Sequence, residues 1–257
     1  MTEPETGNCS LRKSEFDTDG FVAIRQFVTG DRLSAVQSHV QRFLRDIVPR
    51  MPPERVFFEQ KDDLDTLKQI QHMATWDPWF HSLSVAGDFR ELAEELLQSP
   101  VVPRNLQYFN KPAGTGLPTP PHQDAYYFML EPSEAVTMWL SLDDVDTENG
   151  CVRYVRGSHR NGLRPHVRTQ TLGFSQGIAD YPSDADRLQE VPLPAQPGDL
   201  LAHHALTIHR ADGNHSVHRT RKALGFIYYS ERARENLAAH RAYQQQLAGE
   251  MSAAGRI

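Results

Sequence analysis

Apolar positions recur at two different spacings along this chain, and the change in spacing divides it into three parts. Between about residues 14 and 100, apolar side chains return every three or four positions, as on one face of a helix. Helices are predicted after Thr29 and from Asp88, where capping residue types precede the apolar run. From about 101 to 230 apolar positions alternate, which is typical of half-buried strands. Residues 231–251 are again predicted to be helical, with a polar and only weakly amphipathic pattern.

Short strands separated by turns dominate the central part. The strand candidates are Phe21–Ile24, ahead of that part, and then 104–110, 136–142, 151–155, 200–203 and 221–229. Many short strands with regular turns indicate a sandwich or barrel, and long excursions between strands suit a jelly roll whose interior can hold a metal and a small ligand. Because no linker or repeat divides the chain, residues 14–257 are predicted to form one domain behind a flexible tail over residues 1–13.

Composition and charge argue against several classes of protein. The 257 residues carry a net charge of -6, which disfavours a general nucleic-acid-binding surface. Two cysteines, Cys9 and Cys151, are too few for a disulfide framework or a cysteine-based metal cluster. No apolar segment approaches the length of a membrane span, and the first ten residues lack the apolar core of a secretory signal. A cytoplasmic location without a membrane partner is therefore expected.

The most informative motif is a histidine and a carboxylate two residues apart, His122 and Asp124, directly after two prolines. In an extended chain, residues i and i+2 point the same way, so both side chains can bind one cation from the same side. A third ligand must come from elsewhere, and His209 is the best downstream donor. Two histidines and one carboxylate form the facial triad of non-haem Fe(II) oxygenases. The competing histidines nearby are His203, His204, His215 and His218; the first two could instead support the ligands from behind or belong to the core, and the last two fall in a polar loop.

Several motifs, taken in order, resemble the phytanoyl-CoA dioxygenase family of Fe(II)/2-oxoglutarate oxygenases. The matching pieces are Phe109-Asn110-Lys111-Pro112, His122-Gln123-Asp124, Trp139, Glu148-Asn149-Gly150-Cys151, Gly157-Ser158-His159, the segment around His209, and Arg221-Lys222-Ala223. The resemblance implies a mainly β fold with flanking helices, a double-stranded β-helix of the cupin-like jelly-roll type. It also implies Fe(II) held by His122, Asp124 and His209, and a reaction that consumes O2 and 2-oxoglutarate.

The resemblance also suggests which residues would hold 2-oxoglutarate. Arg221, twelve residues after His209, matches the family's arginine for the far carboxylate, and a guanidinium can bind a carboxylate through two parallel hydrogen bonds. Arg219 is the alternative, and a surface arginine on a strand is the other reading of Arg221. Many relatives carry a serine two residues after the distal histidine, where this chain has Ala211, so one cosubstrate hydrogen bond is absent.

Three further residues match or approach the cosubstrate pocket of the family. Trp139 and Gln107 match positions that line it, although Trp139 could equally be an ordinary core residue. Lys68 could reach the cosubstrate or the substrate, whereas an exposed helix lysine is the commoner case. The retained Asp124 favours hydroxylation, because related halogenases replace this carboxylate with a small residue.

The substrate itself is predicted only as a class. Aromatic residues that could wall a pocket are Tyr126, Tyr127, Phe128 and Phe174. A local basic cluster consists of Arg160, Arg164, His166 and Arg168, and it could attract a phosphonate, a carboxylate or an acyl-CoA, or form a solvated loop. Residues 160–190 are long enough for a lid. The predicted reaction is hydroxylation with release of succinate and CO2. The alternatives are a cupin-like zinc or manganese isomerase or hydrolase, and a catalytically silent binding protein.

Overall fold

The computed structural model describes residues 6–60, 63–114, 116–171 and 174–253, in which helices flank a core of antiparallel strands. The helices are α1 (Thr6–Asp19), α2 (Gly30–Asp46), α3 (Met73–Trp76), α4 (Pro78–Val85), α5 (Asp88–Leu97), α6 (Ala125–Phe128), α7 (Asp184–Gln189) and α8 (Leu237–Ala253). Short 3-10 helices cover Val48–Arg50, Pro53–Arg55, Leu64–Thr66 and Ser158–Asn161.

The strands pair into two main sheets. They are β1 (Phe21–Ile24), β2 (Val56–Phe58), β3 (Leu67–Ile70), β4 (Val101–Phe109), β5 (Thr119–His122), β6 (Leu130–Glu131), β7 (Ala135–Ser141), β8 (Val152–Val155), β9 (His166–Thr171), β10 (Phe174–Ile178), β11 (Glu190–Leu193), β12 (Leu200–His204), β13 (His209–Ala211), β14 (Ala223–Ser230) and β15 (Arg234–Glu235). The larger sheet has the order β1-β12-β7-β14-β4-β3-β2, and the smaller one β11-β8-β13-β5. These two antiparallel sheets form the predicted double-stranded β-helix.

Alternation along β7 shows how the larger sheet separates two environments. Val136, Met138 and Leu140 belong to the large hydrophobic cluster that includes the buried faces of α2 and α5. Trp139, between them in sequence, belongs to a second cluster with residues of the smaller sheet. Since successive side chains of a strand point to opposite faces, the odd-numbered residues of β7 face the interior of the jelly roll. The helices therefore support the sheet from outside and leave the inner face for the site.

The N-terminal part differs from the sequence-based prediction. A flexible tail was predicted over residues 1–13, but residues 6–13 form the first part of α1, while residues 1–5 lie outside the described ranges. The end of this helix is held by the segment after β8. Arg160 donates to the carbonyl of Thr18, and Nε2 of His159 bonds the carbonyl of Asp17. Basic side chains thereby satisfy carbonyls that a helix end leaves unpaired.

Helix starts also differ in detail from the prediction. Thr29 does occupy the N-cap position of α2, but its side chain makes no capping hydrogen bond. Asp88 is the first residue of α5, whose cap is Gly87. Gly87 has φ +78, a conformation that glycine adopts without strain, so backbone geometry rather than a side-chain cap starts this helix. No helix within the described ranges is both long enough and apolar enough to cross a membrane.

Candidate functional site

The structure brings His122, Asp124 and His209 together from two strands and a loop. His122 ends β5, His209 begins β13, and the two residues are partners in the antiparallel register. Asp124 follows two residues after His122, immediately before α6. Its Oδ1 lies 3.6 Å from Nε2 of His122 and 3.8 Å from Nε2 of His209. Three ligand atoms within 4.8 Å of one another can hold one metal ion.

Backbone carbonyls fix which nitrogen each histidine presents. Nδ1 of His122 lies 2.8 Å from the carbonyl oxygen of Pro120, and Nδ1 of His209 lies 3.0 Å from that of Thr207. Because a carbonyl only accepts, both Nδ1 atoms carry the hydrogen and both Nε2 lone pairs face Asp124. Burial lowers the pKa of both imidazoles, so they are neutral ligands at neutral pH. This is the arrangement that metal-binding histidines adopt.

The second oxygen of Asp124 is held from behind by the larger sheet. Thr137 Oγ1 donates to Oδ2 at 2.6 Å, and Nε2 of His203 donates to the same atom at 3.1 Å. The Tyr154 hydroxyl in turn donates to Nδ1 of His203 at 3.0 Å. Burial would raise the pKa of Asp124, but the His203 hydrogen bond and the surrounding imidazoles lower it on balance. His203 therefore hydrogen-bonds Asp124, and the three atoms that could hold one metal ion come from His122, Asp124 and His209.

The other competing histidines lie away from the three ligand atoms. His204 stands beside His159, with ring centroids 5.7 Å apart, and burial lowers the pKa of its imidazole to about 4. His215 and His218 are exposed. Thr137 is a functional candidate that sequence reasoning missed, whereas His203 had been left open as a competing ligand, a residue that supports the ligands or a core residue. Their pairing across β7 and β12 is visible only in the sheet register.

Arg221 is buried with no carboxylate within ion-pair distance among the described residues. Only 4% of its surface is exposed, its Nε donates to the Gly150 carbonyl at 3.2 Å, and its guanidinium lies 5.2 Å from the Trp139 ring centre. Burial lowers the pKa of Arg221 to about 10, so it still carries its charge at neutral pH. Arg221 was predicted on a strand, but β14 begins two residues later at Ala223. Paired backbone hydrogen bonds with Lys111 hold it there instead.

Arg219 is bound elsewhere. Its guanidinium donates to Asp146 at 2.8 Å and to Glu148 at 2.6 Å on the protein surface. These carboxylates satisfy the charge that a ligand would otherwise neutralise. The geometry therefore selects Arg221 over Arg219 as the cation that faces the interior.

Lys68 lies on β3 and is buried, which corrects the expectation of an exposed helix lysine. Its Nζ is 3.2 Å from a carboxylate oxygen of Glu59. Burial lowers the pKa of Lys68, and Glu59 opposes that shift. Lys111, which sequence reasoning did not assign to the site, is a second buried lysine, and its Nζ donates to the Leu117 carbonyl. Burial is the main cause that lowers the pKa of both lysines, and the charge of nearby Arg221 lowers each further.

Gln107 faces the same interior space as Trp139. Gln107 pairs with Gly225 across the larger sheet, and Gly225 pairs with Trp139 on its other side. Residues paired across strands share a face, so both side chains lie on the inner face of the larger sheet. Trp139 packs in the second cluster and lies against Arg221, and its place in a cosubstrate pocket stays a prediction.

Aromatic residues that follow Asp124 in the sequence lie beside His122. The Tyr127 ring meets His122 edge to face at 5.9 Å, and its hydroxyl donates to the Gln176 carbonyl on β10 at 2.9 Å. The Tyr126 ring stacks on His166 of β9 at 4.5 Å. Phe128 is a core residue that packs on Tyr229. The Phe174 prediction concerns a side chain outside the described residues.

The predicted basic cluster does not act as one group of free charges. Arg164 donates to Asp180 at 2.7 Å and to Asp186 at 2.8 Å, and Arg160 bonds the end of α1. His166 and Arg168 lie on β9, so the segment expected to be loop-rich contains the β9–β10 hairpin and α7. Whether this segment closes over the site remains a prediction.

The residues present fit a metal ion with a dicarboxylate beside it. Two neutral imidazole nitrogens and one carboxylate oxygen on one face are the donor set that suits Fe(II). The other oxygen of the carboxylate is already hydrogen-bonded by Thr137 and His203. The buried, charged Arg221 lacks a carboxylate partner among the described residues, and such a group is stable only when an anion compensates it.

Comparison with known proteins places this site in a family. The chain is 26% identical over 246 residues to mouse phytanoyl-CoA dioxygenase domain-containing protein 1, covering 79% of this chain and 84% of that protein. It is 28% identical over 233 residues to mouse peroxisomal phytanoyl-CoA dioxygenase, covering 81% of this chain but only 64% of the relative. The chain thus spans less than two thirds of that second relative.

Solved structures with the same fold bind iron and 2-oxoglutarate. The epimerase SnoN, in complex with Fe3+, alpha ketoglutarate and nogalamycin RO, matches with a TM-score of 0.71 at 22% identity, over 90% of this chain and 87% of its own. EctD from S. alaskensis, with 2-oxoglutarate and 5-hydroxyectoine, matches with a TM-score of 0.72 at 16% identity, over 91% and 81%. At these identities the likeness shows the fold. The family model for phytanoyl-CoA dioxygenase (PhyH) matches residues 16–223, and since this is most of the sequence, the chain belongs to the phytanoyl-CoA dioxygenase family.

Proposed function

We propose that this protein is an Fe(II)- and 2-oxoglutarate-dependent dioxygenase that hydroxylates a small organic substrate and releases succinate and CO2. The observation that carries the proposal is the pairing of two features in one interior. One is the set of ligand atoms on His122, Asp124 and His209, and the other is the buried guanidinium of Arg221 without a carboxylate partner among the described residues. Metal-binding atoms alone would suit many enzymes, whereas the added anion receptor suits a dicarboxylate cosubstrate.

Each residue of the site has a distinct task. His122 and His209 would bind the metal through Nε2, since their Nδ1 hydrogens are committed to backbone carbonyls. Asp124 would bind through Oδ1, because Thr137 and His203 occupy Oδ2. Arg221 would hold the far carboxylate of 2-oxoglutarate, and Trp139 keeps the guanidinium in place by lying against it.

The bound metal and 2-oxoglutarate would together supply the oxidising chemistry that activates O2. The chain's contribution is to leave coordination positions for the cosubstrate and to exclude water around them. Tyr127 and the β9–β10 hairpin cover the His122 side, which limits access by water. The retained Asp124 supports hydroxylation over halogenation. One relative in fold is an epimerase, so the fate of the oxidised substrate is part of our proposal.

The alternative functions lack a use for Arg221. A cupin-like zinc or manganese isomerase or hydrolase could employ the same three ligands, but it has no need of a buried, unpaired cation. A catalytically silent binding protein would have no need of metal-ligand atoms that are oriented by hydrogen bonds from Thr137 and His203 and to two backbone carbonyls. An anionic substrate stays our prediction. The basic cluster gives this prediction no set of free charges, because Arg160 bonds the end of α1 and Arg164 is paired with Asp186.

The test is spectroscopic and needs no knowledge of the substrate. Anaerobic addition of Fe(II) and then 2-oxoglutarate should produce the visible metal-to-ligand charge-transfer band of the chelated cosubstrate. His209→Ala should show no band at the same concentrations, and Zn(II) should give none with the natural protein. Release of succinate, measured with matched anionic and neutral candidates, then identifies the substrate class. Absence of the band in the natural protein at saturating 2-oxoglutarate would refute the proposal.

A further inference from the structure

Gln69 is a buried residue that contacts the proposed cosubstrate pocket only through another side chain. It lies on β3 with 3% of its surface exposed. Its Nε2 donates to Oε1 of Gln107 on β4 at 2.6 Å. Its own Oε1 is buried without a hydrogen-bond partner among the described residues. Unpaired buried polar atoms are rare and often occur where a ligand or a bound water completes the hydrogen bonds.

The bond from Gln69 determines what Gln107 can offer. A primary amide has one accepting oxygen and one NH2 group that donates. Because Gln69 occupies the oxygen, the group that Gln107 has left is its Nε2, which makes no hydrogen bond within the described part of the chain. Gln107 shares a face with Trp139, and Trp139 lies against Arg221. A donor therefore borders the same interior space as the guanidinium.

We propose that Gln69 is a positioning residue that sets the polarity of the Gln107 amide, so that Gln107 donates to an oxygen of bound 2-oxoglutarate. The inference rests on the proposed function, since it names the cosubstrate as the ligand. Rotation of the Gln107 amide by half a turn would place its carbonyl oxygen against an anion, and the interaction would change from attractive to repulsive. In the orientation that the structure shows, Gln69 opposes this rotation, because its NH2 group would then face the NH2 group of Gln107.

Reversing the polarity of position 69 tests the idea. Gln69→Glu replaces the donor with an acceptor, so Gln107 must turn its NH2 toward the new carboxylate and its oxygen toward the ligand. Gln69→Met only removes the donor. Binding of 2-oxoglutarate to the Mn(II)-loaded full-length protein, measured by titration calorimetry, should weaken at least tenfold in Gln69→Glu and severalfold in Gln69→Met. Thermal melts confirm that each variant is folded.

The added negative charge of Gln69→Glu also repels 2-oxoglutarate directly, and a double-mutant cycle separates the two effects. In a Gln107→Met background, where no amide can rotate, Gln69→Glu should weaken binding less than threefold. Equal losses in both backgrounds would overturn the inference and leave the proposed function standing. Failure of the natural protein to bind 2-oxoglutarate would overturn both. If Gln69→Glu does not fold, Gln69→Met takes its place in the cycle. Gln69→Met should then weaken 2-oxoglutarate binding only when Gln107 is present and have no effect in the Gln107→Met background. The same weakening in both backgrounds would overturn the inference.

Discussion

Replacement of Arg221 by methionine should move stability and ligand affinity in opposite directions. Burial lowers the pKa of Arg221 from the usual value of an arginine to about 10. At 1.36 kcal/mol per pKa unit, the folded protein without ligand bears a cost of roughly 3 kcal/mol for keeping this group charged. The cost applies at every pH below about 10 and shrinks as the pH rises from there toward the usual pKa of an arginine, because the folded form loses the proton first. Arg221→Met removes it.

We therefore expect Arg221→Met to raise the free energy of unfolding of the ligand-free protein by about 1–3 kcal/mol, since apolar replacements of buried charges are often stabilising. Lost contacts with Gly150 and Trp139 reduce the gain. A charge-assisted, bidentate hydrogen bond is worth about 1.5–3 kcal/mol, so 2-oxoglutarate should bind roughly 10- to 150-fold more weakly. Metal affinity should not change, because Arg221 is not a ligand.

Denaturant unfolding at neutral pH and 2-oxoglutarate titration of the metal-loaded protein give the two numbers. Arg221→Lys keeps the charge but not the planar fork, so its affinity should fall between the natural protein and Arg221→Met. Arg219→Met is the matched control on the surface and should leave 2-oxoglutarate binding unchanged. If Arg221→Met were less stable than the natural protein and bound 2-oxoglutarate with unchanged affinity, Arg221 would not be the residue that holds the cosubstrate. Loss of binding in Arg219→Met alone would transfer the role to that residue.

Three further predictions concern the metal and the hairpin. His209→Ala should abolish turnover while the circular dichroism spectrum is kept; persistent Fe(II)-dependent activity would mean that another histidine is the third ligand. Thr137→Val should weaken Fe(II) binding about 10- to 100-fold by removing one of the two hydrogen bonds to Oδ2 of Asp124, whereas Ser141→Ala, on the same face of β7, should not, and equal effects would refute the distinction. Amide hydrogens of the β9–β10 hairpin should exchange faster than those of β7 without substrate and slow down with it; unchanged exchange would contradict a lid.

The sequence was sufficient to nominate candidate metal ligands from local geometry and from the family pattern. His122 and Asp124 could be paired from their i, i+2 spacing, and the family pattern supplied His209 and Arg221. The fold class followed from the alternation of apolar residues after residue 101. The structure agrees on the β-helix, and it brings all three ligand candidates together.

What the sequence could not predict depends on which strands become neighbours. Thr137 and His203 are 66 positions apart, and only the β7–β12 register shows that both reach Asp124. Lys68 was predicted to reach the cosubstrate or the substrate, with an exposed helix position as the alternative, and its burial on β3 could not be predicted because a strand of four residues is too short for a clear alternation. Gln69 gave no signal at all, since its importance comes from one hydrogen bond across two strands. Helix α1 was missed because its amphipathic pattern is weak.

The position of α8 has a consequence for how relatives of this protein could diverge. The family match ends at residue 223, well before this helix of 17 residues begins. Yet the Tyr243 ring on α8 lies 6.4 Å from that of Tyr126 and 6.3 Å from that of Tyr127, beside His122. A chimaera that exchanges only the C-terminal helix would therefore alter the aromatic surroundings of His122 and leave all three candidate metal ligands untouched. The reaction type and the substrate preference can thus be encoded in separate parts of the sequence, the first within the family match and the second in the C-terminal helix.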